Sequence, residues 1–83
     1  MSTYERKQID KEFKNFTHLN FEAPKKCKSL GQLQYYVKEL SQKIKELKNR
    51  FNYVPERAFL LLTEYNQKLN SLIFKNYQEV YSY

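Results

Sequence analysis

The residues best suited to chemistry in this chain are few and lie far apart. The chain of 83 residues has one histidine, His18, and one cysteine, Cys27. A zinc site requires about four ligands in paired clusters, and neither residue has the neighbouring acids that nucleophilic catalysis uses. A single glycine, Gly31, excludes a glycine-rich phosphate loop. We therefore predict no enzyme activity, no metal, no cofactor and no small-molecule substrate.

A basic segment surrounds the cysteine and precedes two tyrosines. The candidate anion or nucleic-acid contacts are Lys25, Lys26, Lys28, Tyr35 and Tyr36. Lysines beside aromatic rings hold phosphates and stack bases of single-stranded nucleic acid, and a net charge of +6 attracts nucleic acid without sequence preference. Flanking lysines would also lower the pKa of the thiol. The simpler interpretation is a solvated loop with an incidental free thiol.

A second group of large side chains suits protein contacts better than chemistry. Aromatic residues dominate the energetics of protein interfaces. Three of these residues fall outside the apolar arc of the last predicted helix, and a fourth lies at its margin. This candidate protein-interaction surface consists of Leu60, Phe74, Tyr77 and Tyr81.

The elements that must position these residues are long helices. Apolar residues recur at alternating spacings of three and four from Leu30 to Val54, which is the a/d seam of a coiled coil. Ser29 with Gln32 matches a capping box, and Pro55 stops one helix and starts the next. We predict helices over about 29–51 and 55–81, joined by a short connection that makes them an antiparallel hairpin.

A shorter helix is predicted before the hairpin. Residues 3–17 place Ile9, Phe13 and Phe16 on one side, and Ser2 or Thr3 can cap the start. Residues 18–28 lose this periodicity and are interpreted as a linker, with Leu19 and Phe21 as its anchors. The chain is thus predicted to be one all-α domain over 1–83, with an accessory helix (1–17), a linker (18–28) and a hairpin (29–83).

The last helix has a wider apolar arc than one neighbour covers. This favours a homodimer that forms a helical bundle. A parallel zipper through the second helix is disfavoured because Lys43 would face Lys48 of the other copy. The flanking charges of the hairpin suggest pairs between Arg50 and Glu56 and between Lys43 and Glu64.

These features predict a non-enzymatic protein that acts through protein–protein interaction, by self-association or as an adaptor or regulator. The alternative is a small basic nucleic-acid-binding accessory protein. Peripheral membrane contact is a weaker third interpretation, since residues 54–83 have no net charge. The longest apolar run, residues 58–62, is too short for membrane insertion. The polar N-terminus does not resemble a signal peptide, so we expect a cytoplasmic location.

Overall fold

The computed structural model describes residues 2–81, and their side chains as far as Lys75. Three α-helices follow one another along the chain: α1 (Thr3–Asn20), α2 (Leu30–Phe51) and α3 (Glu56–Tyr81). A short 3-10 turn, Pro24–Lys26, lies in the segment between α1 and α2. The predicted all-α fold with a long helical hairpin and an N-terminal helix is confirmed. The side chains of Tyr77 and Tyr81 lie outside the described residues.

Local chemistry sets where each helix begins and ends. The hydroxyl of Ser2 accepts a hydrogen bond from the Glu5 N–H, and that of Ser29 accepts one from the Gln32 N–H. These contacts satisfy backbone donors that a helix start leaves without partners. Asn52 closes α2 in the left-handed conformation, with φ of 51°. Pro55, which is buried, directly precedes α3.

The hairpin core is built from one residue of each heptad plus small and aromatic residues of α3. Leu33, Leu40 and Leu47 are at most 3% exposed, whereas the alternate seam residues are half-buried. On α3, Ala58 and Tyr65 are fully enclosed. An alanine at this position lets the two helices approach closely near the turn, since it adds a single methyl group to the contact. α2 and α3 therefore form the hairpin core against which α1 and the segment between α1 and α2 pack.

α1 docks on the hairpin through its apolar stripe. Ile9 and Phe13 are buried, and Phe16 is half-buried against the same core. The Tyr53 hydroxyl donates a hydrogen bond to the Asp10 carboxylate at 2.8 Å, which fixes α1 near the hairpin turn. Farther along, the Lys43 ammonium lies 5.1 Å from the centre of the Phe16 ring. α1 thus runs antiparallel to α2, in a bundle measuring 58 × 21 × 15 Å.

Two sequence-based details differ from the structure. α1 continues to Asn20, beyond the predicted end at residue 17, so Leu19 lies in its last turn and is 80% exposed. Leu19 is therefore not an anchor, whereas Phe21 packs against the core as predicted. The ion pairs found among the described residues lie within α2, where Glu46 contacts Lys43 and Arg50. They replace the pairs predicted between the helices.

No helix within residues 2–81 is long and apolar enough to cross a membrane.

Candidate protein-interaction surface

The segment between α1 and α2 is held against the hairpin by two tyrosines. The Tyr65 hydroxyl donates to the Glu22 carbonyl, and the Tyr36 hydroxyl accepts from the Glu22 N–H at 3.1 Å. The Tyr36 hydroxyl also accepts from the Gln32 amide at 3.0 Å. The Phe21 ring packs against both tyrosines, with centroid distances of 4.6 Å to Tyr36 and 6.0 Å to Tyr65. The two tyrosine rings also contact each other, with their centroids 5.4 Å apart.

This packing corrects the assignment of Tyr36 as a nucleic-acid contact. Its side chain is only 7% exposed, and its hydroxyl already has two hydrogen-bond donors. A base cannot stack on a ring whose faces are covered by protein. Tyr36 therefore belongs to the core, while its neighbour Tyr35 is 56% exposed.

The cysteine is also part of the core. Cys27 is fully buried, and its thiol lies 3.5 Å from the Ala23 carbonyl. Burial raises the pKa of the thiol, the Glu22 carboxylate raises it further, and Lys68 opposes both effects. The lowered pKa suggested by the flanking lysines is therefore wrong, because Lys25, Lys26 and Lys28 all lie in solvent while the sulfur lies inside.

The outer side of α3, unlike the core described above, carries large apolar side chains that are exposed to solvent. Leu60 is 57% exposed and Phe74 is 62% exposed, so both predicted interaction residues are available to a partner. Two further apolar residues, Phe59 and Ile73, are also about half exposed. We call the set of exposed uncharged residues here the α3 outer face. It consists of Phe59, Leu60, Thr63, Gln67, Asn70, Ser71, Ile73 and Phe74.

Phe59 and Ile73 were not among the predicted interaction residues. Helical periodicity puts them within or at the margin of the arc that faces α2, yet the packing leaves about half of each side chain in solvent. The sequence does carry a signal for them. Phe59 and Leu60 form one apolar pair, and Ile73 and Phe74 form another. The exposed positions of the helix between these pairs are mainly polar.

A cleft of about 310 Å³ opens beside the α3 outer face. It lies between the second half of α1, the following segment and the first half of α3. Its lining includes Lys14, His18, Arg57, Leu60 and Glu64. The cleft therefore has both charge signs, and Leu60 belongs to its wall as well as to the α3 outer face. Within the described part of the chain, no cluster of three His, Cys, Asp or Glu side chains is arranged to hold a metal ion.

Comparison with protein-family models, with curated proteins and with solved structures finds no match for this chain. What the α3 outer face can bind is therefore inferred from the exposure, charge and spacing of its own residues. Those properties separate it from the rest of the described surface, where exposed apolar side chains stand singly. Tyr4 and Leu19 on α1 are examples.

Proposed function

We propose that this chain is a non-enzymatic cytoplasmic protein that acts through protein–protein interaction, with the α3 outer face as the contact surface. The interaction is self-association or the binding of a partner that the chain recruits or regulates. The observation that carries the proposal is the exposure of Phe59, Leu60, Ile73 and Phe74, between 46 and 62%, on one uncharged helix face.

The energy available at this face suits a protein partner. Full burial of a Leu, Ile or Phe side chain contributes about 1.5–3 kcal/mol. Four such side chains left half exposed therefore hold roughly 3–6 kcal/mol of further apolar burial. Isolated exposed apolar residues are normal on a protein surface, but a grouped set on one face marks an interaction site.

Matched double variants test this proposal. Leu60→Gln with Phe74→Gln removes the two most exposed apolar side chains of the face, and both positions are in solvent, so the fold is retained. Tyr4→Gln with Leu19→Gln removes two apolar side chains of α1 that are even more exposed, and serves as the control. Circular dichroism and thermal melting verify that both variants fold like the wild-type chain.

The readout is quantitative capture from extract of the native cell, using the wild-type chain and both variants as baits. We expect proteins, including a differently tagged second copy, that the wild type and the α1 control retain and the α3 variant loses. Equal capture by all three baits would show that the α3 outer face is not the contact surface.

Nucleic-acid binding is the second candidate. It is supported by the exposure of Lys25, Lys26, Lys28 and Tyr35 in a chain of net charge +6. Tyr36 cannot contribute, and arginine, the residue best suited to bidentate phosphate contacts, is scarce in the sequence. This candidate is therefore supported by three exposed lysines and one exposed ring, a weaker basis than the α3 outer face.

A salt titration separates the two candidates. Electrostatic affinity for nucleic acid is strongest at low salt, so absence of DNA and RNA binding at about 50 mM salt excludes the second candidate. If binding occurs, Lys25→Gln, Lys26→Gln and Lys28→Gln together must weaken it. The matched control removes the same charge from exposed positions of α2, namely Lys38, Lys45 and Lys48. Equal loss in both triple variants would mean a non-specific effect of net charge.

A further inference from the structure

We propose that the cleft between α1 and α3 binds an extended peptide segment of a partner protein. In this segment an acidic residue and a basic residue lie two positions on either side of an apolar residue. The inference goes beyond the proposed function, because it assigns a second site rather than an occupant of the α3 outer face. The cleft measures about 310 Å³, which is within the range of sites that hold small ligands.

Two hydrogen bonds fix how α1 lies along α3. The Tyr53 hydroxyl donates to Asp10 near the hairpin turn, and the Tyr65 hydroxyl donates to Glu22 at the linker. Both pairs are 43 positions apart in the chain, so α1 runs parallel to α3 in a constant register. Residues that line the two walls of the cleft follow the same offset: Lys14 with Arg57, Thr17 with Leu60, and Phe21 with Glu64.

This register separates the charges of the cleft by sign. Lys14 and Arg57 lie at the same level on opposite walls, at the end nearest the hairpin turn. Glu22 and Glu64 lie at the other end, beside the linker. Arg57 and Glu64 are seven residues apart on one helix, which separates the two ends by about 10 Å. The cleft therefore has a cationic end and an acidic end.

The four charged side chains of the cleft are available to a ligand. All four residues are exposed, and none of them forms an ion pair within the part of the chain that the structure describes. Asp10 lies one turn before Lys14, but its carboxylate accepts the hydrogen bond from Tyr53. Two cations at one level favour a carboxylate between them, and two carboxylates favour an ammonium or guanidinium group.

Apolar side chains lie between the charged ends. Leu60 is 57% exposed and Leu61 is half-buried, and both line the cleft. His18 adds a polar ring on the α1 wall at the level of Leu61. An apolar side chain of a ligand that covers the two leucines removes further apolar surface from water, which favours binding.

The order of cationic, apolar and acidic groups matches one side of an extended peptide. Every second side chain of an extended chain points to the same face, and residues four positions apart are separated by about 13 Å. Flexible charged side chains span the remaining difference from the separation of the two ends. An extended segment also suits a cleft of this volume better than a helix, which is about 10–12 Å across with its side chains.

A capped peptide tests the proposal in the full-length chain. The probe is acetyl-Asp-Ser-Leu-Ser-Lys-amide, added to about 5 mM while backbone amide resonances are followed by NMR. We expect saturable shifts at cleft residues such as Thr17 and Leu61. The isomer acetyl-Leu-Ser-Ser-Asp-Lys-amide has the same composition with its charges adjacent, and should bind at least about fivefold more weakly. Equal binding of the two peptides, or no shift with the probe, would overturn the inference.

Matched charge variants test the cationic end. Lys14→Gln with Arg57→Gln should weaken binding of the probe at least about tenfold. Lys38→Gln with Lys45→Gln removes the same charge from exposed positions of α2, and should change the affinity by less than about twofold. Circular dichroism verifies the fold of both variants. Equal weakening in both would mean an effect of net charge alone and would overturn the site.

Phe74→Gln separates this site from the proposed function. The substitution alters the α3 outer face and leaves the lining of the cleft unchanged, so the probe should bind as it does to the wild type. Loss of binding in this variant would place the peptide on the α3 outer face and overturn the inference. The proposed function fails by a different result, namely equal capture of proteins by the wild type, the Leu60 and Phe74 variant and the α1 control.

Discussion

The hydroxyl of Tyr65 on α3 donates a hydrogen bond to the backbone carbonyl of Glu22, which lies 43 positions earlier in the chain. The N–H of the same residue donates to Tyr36 on α2. Both backbone polar groups of one linker residue, Glu22, thus have a tyrosine partner, one from each arm of the hairpin. The linker is thereby fixed to the hairpin core, and α1 with it, since Phe21 and Phe16 pack edge to face beside this point.

Removing the Tyr65 hydroxyl should loosen this attachment. Tyr65→Phe keeps the ring but leaves the Glu22 carbonyl without its tyrosine donor, so we expect a loss of about 1–3 kcal/mol in the free energy of unfolding. Tyr35→Phe changes an exposed ring and should alter stability by less than about 0.5 kcal/mol. Urea unfolding measures both. Equal effects would mean that the hydrogen bond to Glu22 contributes nothing.

The same residue predicts a loss of stability in alkali. Burial, together with the neighbouring Cys27 and Tyr36, raises the pKa of Tyr65 to about 12 in the folded chain. The unfolded chain titrates near 10, so the neutral phenol favours the folded state. This contribution is complete below pH 10 and is lost between about pH 10 and 12. Ultraviolet titration of tyrosinate should show a late step near pH 12, and Tyr65→Phe should abolish that step.

The buried thiol should be protected from reagents. Cys27 is fully enclosed and burial raises its pKa, so both access and ionisation disfavour reaction. We expect a thiol-specific disulfide reagent at pH 8 to modify the native chain at least about tenfold more slowly than the urea-unfolded chain. Equal rates would show that the thiol is open to solvent, and would support the earlier interpretation that the flanking lysines lower its pKa.

The end of α2 predicts a stabilising substitution. Asn52 adopts φ of 51°, and its N–H donates to the Lys48 carbonyl at 2.9 Å. Glycine adopts this conformation without a steric cost, so Asn52→Gly should be neutral or raise stability by up to about 1 kcal/mol. Asn52→Val should lower it by about 1–2 kcal/mol. Thermal unfolding distinguishes the two, and a similar melting temperature for both variants would contradict the assigned cap.

The helices, and the boundaries of α2 with the start of α3, could be predicted from the sequence because they depend on local chemistry. Ser29 and Pro55 act within one turn of the residues that they cap or interrupt, and the seam from Leu30 repeats over many turns. The structure adds detail even there. Gln32 does not return to Ser29 as a capping box would have it, but donates to Glu22 and Tyr36 instead.

The linker and the charge pairs were less accessible because they depend on contacts between distant segments. No periodicity within residues 18–28 indicates that Glu22 meets Tyr65, and the burial of Cys27 follows from that contact. Lys43 fails to pair with Glu64 because it lies over the Phe16 ring and beside Glu46. For the candidate site, the outlying Leu60 and Phe74 were identified, whereas Phe59 and Ile73 required the packing of α3 to reveal their exposure.

The central claim is that the α3 outer face is the surface through which this chain binds another protein, either a second copy or a different partner. Quantitative capture from extract of the native cell tests it most directly, with the wild-type chain, the Leu60→Gln and Phe74→Gln variant, and the Tyr4→Gln and Leu19→Gln control as baits. We predict that the wild type and the control retain the same captured proteins, while the α3 variant loses them. Equal capture by all three baits would contradict the claim.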